Sequence, residues 1–194
     1  MVKERTREYL GGGHVKGSMV RAHLQWVRQN FGEEQEKAIV ASLPPENGSE
    51  VDGLLASTWC SLESLVRLDR AIAAATGRNE SELMSELGRA SAEINLSTVY
   101  RAFRRTEIHD FFQRSAALHK QFQDFGVSTY IADGDTQGTM TIRDAGAFSS
   151  VFCASSGGYY AEVIRLHGGN APTAEETACV CAGDAACVWQ LRWS

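Results

Sequence analysis

The hydrophobic pattern changes period once, at Phe125-Gly126, and this change limits the possible folds more than any other feature. Upstream, apolar residues recur every three or four positions. Downstream, they alternate. Such a chain predicts an α+β fold, with a helical N-terminal half packed on an antiparallel C-terminal sheet that has one inserted helix. The upstream pattern predicts a helix from Ser18 to about Phe31, with Met19, Ala22, Trp26 and Val27 on one stripe, and a shorter one over 33–43. Pro44-Pro45 reads as a stop, the following ENGSE as a loop and Asp52–Trp59 as a connector. Further helices are predicted over Ser61–Ala75, from Asn79 or Ser81 towards Leu96, and near 107–123. Downstream, the strands read as 127–131 and 137–143, with 147–153 as a third. A helix follows over 157–167, then a hairpin of 172–179 and 186–193 around Ala182-Gly183-Asp184. Cys187, Trp189, Leu191 and Trp193 would share one face of the last strand.

The length of 194 residues suits one domain. Residues 1–14 alternate Arg and Glu and end in Gly11-Gly12-Gly13, which predicts a flexible extension before a single domain over 15–194. The net charge of −5 argues against a general nucleic-acid partner. No apolar run reaches the roughly 18 residues of a membrane span, and the N-terminus has no signal core, so a cytoplasmic location is expected.

The chemistry-bearing residues cluster late in the chain. Of five cysteines, Cys179, Cys181 and Cys187 lie within nine residues, and Cys60 and Cys153 stand apart. In a reducing compartment a local cluster reads as metal ligands or buried thiols before disulfides. A hairpin about Gly183-Asp184 would bring Cys179 and Cys187 together, and Cys153 could join them from a neighbouring strand end. Thiolates with one carboxylate make a closed tetrahedral zinc site. Glu176 lies three residues before Cys179, so on a regular strand the two side chains face apart. Glu176 therefore needs a bulge or loop to serve, and Cys181 is the substitute ligand if it points away. The same cysteines also read as unliganded core residues.

The run from Cys153 through Gly158-Tyr159-Tyr160 to Glu176, Cys179, Gly183-Asp184, Cys187 and Trp189 resembles the 4-vinyl reductase domain. That family is related to TRAPP tethering subunits and haem nitric-oxide-binding domains. The stretches VKGSMVRAHLQWVRQNFGEE, SLPPE, ELGRASAE and VYRAF resemble stand-alone myxobacterial-type members. The resemblance implies zinc held by Cys153, Glu176, Cys179 and Cys187, a helical layer on an antiparallel sheet, and a homodimer. Apolar faces around Met19, Trp26 and Leu62 are the expected dimer surfaces. It also implies a pocket for a small apolar or aromatic ligand, for which Trp59, Phe103, Phe111, Phe122, Tyr130, Phe152 and Tyr159 are the candidate wall. The haem-binding relatives carry a Tyr-x-Ser-x-Arg string and a proximal His. That string is missing, since Tyr100 is followed by Arg-Ala-Phe-Arg, and haem is expected to be absent.

Other features carry less. Gly11-Gly12-Gly13 has no Gly-Lys-Ser/Thr after it and is no phosphate loop. Arg101, Arg104 and Arg105 read as a solvated basic face, and Asp133, Asp135 and Asp144 as turn chemistry. The chain is therefore expected to be a non-enzymatic sensor that binds a small ligand, holds structural zinc and signals through an unidentified partner protein. The alternative is a TRAPP-like interaction adaptor with no ligand.

Overall fold

The computed structural model describes residues 4–194, apart from the side chains of Arg104 and Arg105. The basic cluster read around those two arginines thus lies mostly outside the described side chains. Strand β1 (His14–Lys16) pairs antiparallel with β2 (Trp59–Ser61), and helix α1 (Gly17–Phe31) leaves β1 directly. Helices α2 (Glu33–Ala41), α3 (Pro45–Val51), α4 (Leu62–Thr76) and α5 (Glu80–Ser97) complete the N-terminal layer. A 3-10 turn and α6 (Ile108–Ala117) lead to the sheet. Strands β3 (Val127–Gly134) and β4 (Gln137–Arg143) precede α7 (Ser150–Leu166), and β5 (Thr173–Ala178) and β6 (Ala186–Arg192) close the chain. The sheet order is β3-β4-β6-β5, all antiparallel, so the α+β reading holds.

Local chemistry accounts for the helix ends. Ser61 caps α4 by accepting from the Ser64 amide at 3.1 Å, and Gly77 ends it at φ 63°. Asn79 caps α5 through the Glu82 amide at 3.2 Å. Two segments differ from the sequence reading. The expected loop after Pro44 is helix α3, because Pro45 occupies its first turn, where a missing N–H costs nothing. Asn47 then turns inward and donates to Ser64 Oγ at 2.8 Å. The expected strand over 147–153 is mostly the start of α7. Helix α7 is buried between α5 and the sheet, so it has no polar face to reveal a helical period. Only Phe148 behaves as strand, bridging to Tyr9.

Helices α5 and α7 approach more closely than ordinary side chains permit. A methyl group at Gly88 would overlap the Ser155 carbonyl, and one at Gly158 would overlap the Ser85 carbonyl. These glycines set the contact between the two layers. One core lies within the helical half, around Val20, Leu65 and Leu87. The second lies under the sheet, around Phe112, Met140 and Trp189. Of the residues expected at a dimer face, Trp26 and Leu62 belong to the first core and the half-buried Met19 packs against it. Residues 4–14, read as an extension, make named contacts. Glu8 binds Arg70 and Ser149, Arg7 N–H donates to the Cys181 carbonyl at 3.0 Å, and Arg5 pairs with Glu176 at 2.8 Å.

Candidate metal centre and ligand cavity

The terminal hairpin and the first turn of α7 build a cluster of four side chains. One potential ligand atom from each of Cys153, Glu176, Cys179 and Cys187 lies within 4.8 Å of the others, and among the described residues this is the one such cluster. Cys153 is on α7, not on a strand end as expected. Its sulfur is 3.7 Å from that of Cys187 and 3.8 Å from that of Cys179. Sulfurs bonded to one zinc at about 2.3 Å in a tetrahedron stand about 3.8 Å apart. All five cysteines are free. The strand carrying Glu176 shifts register between Glu176 and Ala178, which is the irregularity needed to point Glu176 and Cys179 to the same side.

The charge state of the cluster suits a cation. Hydrogen bonding with Cys153 and the other thiols lowers Cys179 below the usual thiol range. Cys187 is pushed up to about 12: hydrogen bonding with Cys153 works downward but is outweighed by the Cys179 charge and burial. Burial, then contact with Cys179, raises Glu176 to about 8 against the pull of Arg5. One Glu176 carboxylate oxygen faces Arg5, and the other, Oε1, is buried without a partner. Cys181 is fully buried beside the cluster but outside the four-ligand set.

A cavity of about 110 Å³ lies between the helical layer and the sheet. Phe103, Phe111, Phe122, Phe152 and Tyr159 line it, as the sequence suggested. Two expected wall residues are elsewhere. Trp59 sits on the surface under the Lys16 ammonium, 3.9 Å from its ring centre. Tyr130 lies over Gly138, stacks on Phe112 and holds His109 Nδ1 at 2.8 Å. Sequence reasoning missed the polar half of the wall, which includes His23, Ser91, Asn95, His119 and Gln123. Only helical spacing relates Ser91 to Asn95, and the remaining members come from distant segments. His23 Nδ1 is bonded to Asp69 at 2.6 Å, both almost fully buried. Cys60, on β2, is buried and its thiol is pushed up to about 12, so it is not an activated nucleophile.

His119 carries a pH signature. Its Nε2 donates to the Phe125 carbonyl at 2.8 Å, and burial lowers its pKa. A histidine held neutral stabilises the fold fully above its unfolded pKa of about 6.5, and this contribution is lost as pH falls. Thermal melts are therefore expected to weaken between about pH 7 and pH 5. His119→Gln, which keeps a donor for Phe125, should flatten that segment of the profile; an unchanged slope would remove His119 as its source.

No family model and no curated protein matches the chain. Solved structures do match in fold. An H-NOX protein from S. oneidensis in the Fe(II)NO ligation state is 9% identical, with 92% of this chain and 99% of that one covered at a TM-score of 0.72. An oxygen-binding H-NOX domain related to soluble guanylate cyclases is 14% identical, with coverage of 91% and 93% and a TM-score of 0.68. A protein solved in work on haem redox potential and porphyrin distortion is 14% identical, with coverage of 91% and 98% and a TM-score of 0.67. This likeness overturns the expectation that haem is excluded, which rested on one missing sequence string. The donor types on the wall suit haem, but a space of about 110 Å³ is that of a single ring, so the helical layer and the sheet would have to part to admit a porphyrin. His119 and His23 each have one ring nitrogen fixed by an acceptor, the arrangement that orients an imidazole for iron.

Proposed function

We propose that this chain is a small-molecule sensor domain of the 4-vinyl reductase type. Its ligand occupies the cavity between helices and sheet, and a structural zinc pins the terminal hairpin. The observation that carries the reading is the double use of α7. Phe152, Ser155, Ser156, Tyr159 and Tyr160 of this helix face the cavity, while Cys153 joins the thiol cluster. A ligand pressing on α7 thus acts on an element tied to β5 and β6. Cys153, Glu176, Cys179 and Cys187 would hold the zinc, which supplies a closed four-ligand cross-link with no open position for substrate. The output passes to a partner protein without a chemical step by this domain.

Haem is the second reading for the occupant, favoured by the solved neighbours together with His119. When bound, it would supply an iron whose remaining position takes a diatomic gas. His119 would then act as a neutral nitrogen donor, oriented by the Phe125 carbonyl.

Melting the protein against haem and a library of small uncharged molecules tests the proposal. A ligand at 100 times its Kd should add about 2.7 kcal/mol of stability. Haem would also declare itself by a sharp visible absorption band. Folded protein that responds to neither haem nor any library member would leave the adaptor reading in front.

A further inference from the structure

The polar half of the cavity wall restricts what can occupy it. Three side chains more than nine-tenths buried lie on that wall without hydrogen bonds from their side-chain groups to described residues. Ser91 Oγ and Gln123 Nε2 are enclosed and unpartnered. The Asn95 amide, one helical turn after Ser91 on α5, has no side-chain hydrogen bond among the described residues. An unmade hydrogen bond at such a group costs about 1–3 kcal/mol. A pure hydrocarbon in the cavity would leave these groups unpaired.

The wall is equally specific in what it omits. Among its lining residues there is no Lys, Arg, Asp or Glu. A carboxylate, phosphate or ammonium entering this space would lose its hydration with no opposite charge to meet it. Asp69 stands behind the wall, facing His23 Nδ1, and is not among the lining residues. The volume of about 110 Å³ sets the size. An apolar cavity of about 150 Å³ takes benzene, so this smaller space admits one small ring at most and no fused system. The phenylalanine and tyrosine rings on the other side favour a flat body.

Resting on the sensor reading above, we infer that the cavity selects an uncharged single-ring molecule bearing an amide or lactam, with carbonyl and N–H on one edge. Gln123 Nε2 donates to its carbonyl. Asn95 and Ser91 complete the edge, since an amide and a hydroxyl can each accept from the N–H. The aromatic wall covers the ring faces. The interaction needs no charge and no covalent step.

Calorimetric titration of the metal-loaded protein with 2-pyridone, benzamide, toluene and benzoate tests this. Either amide probe should bind at least tenfold more tightly than toluene and than benzoate. Gln123→Leu should reduce that preference at least tenfold while leaving toluene binding unchanged or improved. Ser91→Ala, a smaller change, should lower amide affinity severalfold if Gln123→Leu does not fold. Toluene binding as tightly as the amides would overturn the amide class and leave the sensor reading standing. Haem bound at one per chain and blocking every probe would do the same. If neither the probes nor haem bind to folded protein, the inference and the sensor reading both fall.

Discussion

Protein purified without a histidine tag is expected to contain one zinc per chain. Cys179→Ser and Cys187→Ser should each lose it, together with at least about 3 kcal/mol of stability. The reason is geometric and electrostatic. The Cys153 sulfur already stands 3.7 and 3.8 Å from those of Cys187 and Cys179, the spacing that a single zinc imposes, and burial raises the neighbouring Glu176 carboxyl, so a cation there relieves the cost of its charge. Metal joins α7 to both strands of the hairpin. Glu176→Gln should keep the fold but weaken zinc binding at least about 10-fold, since it replaces a charged ligand by a neutral one. Cys181→Ser should retain the metal, because Cys181 stands outside the ligand set. Elemental analysis and urea melts give both readouts. A metal-free protein as stable as its cysteine variants would make these residues ordinary core.

The second large effect lies where α5 crosses α7. Gly158→Ala and Gly88→Ala should each cost about 3 kcal/mol, at the upper end of overpacking, because the added methyl meets a backbone carbonyl of the facing helix. A carbonyl cannot rotate away as a side chain can, so the helices must separate. The neighbouring glycine is the control. A methyl at Gly157 would find only ordinary contacts, the nearest being Trp189 Nε1 at 3.6 Å. Gly157→Ala should be neutral or slightly stabilising, by up to about 1 kcal/mol, since alanine is the better helix former. Equal losses at 157 and 158 in thermal melts would contradict the close crossing.

The strands and most helices were legible because their faces differ. β4 and β6 alternate cleanly between core and surface, and α1 and α4 carry one apolar stripe each. Helix α7 was half hidden, since both its sides are covered and its first residues happen to alternate. Helix α3 was hidden by Pro45, which starts a helix as readily as it ends one. That Cys153, Glu176, Cys179 and Cys187 come together was legible from spacing and resemblance, and so was the need for a bulge at Glu176, though its place in the strand was not. The aromatic wall of the cavity was partly legible. Its polar wall was not, because Ser91, Asn95 and Gln123 look like surface residues until tertiary packing buries them. The missing Tyr-x-Ser-x-Arg string says little about haem, because a fold shared with H-NOX structures at 9–14% identity does not depend on so short a string.

A ligand is expected to bind inside the cavity against α7. The most direct measurement is the ligand-induced rise in melting temperature of the metal-loaded protein, compared with Ser156→Phe, in which an aromatic ring is introduced at the cavity wall. A rise of several degrees is expected for at least one ligand in the parent protein. In the variant that rise should disappear while the zinc content stays at one per chain. An equal rise in both proteins would place the ligand outside this cavity.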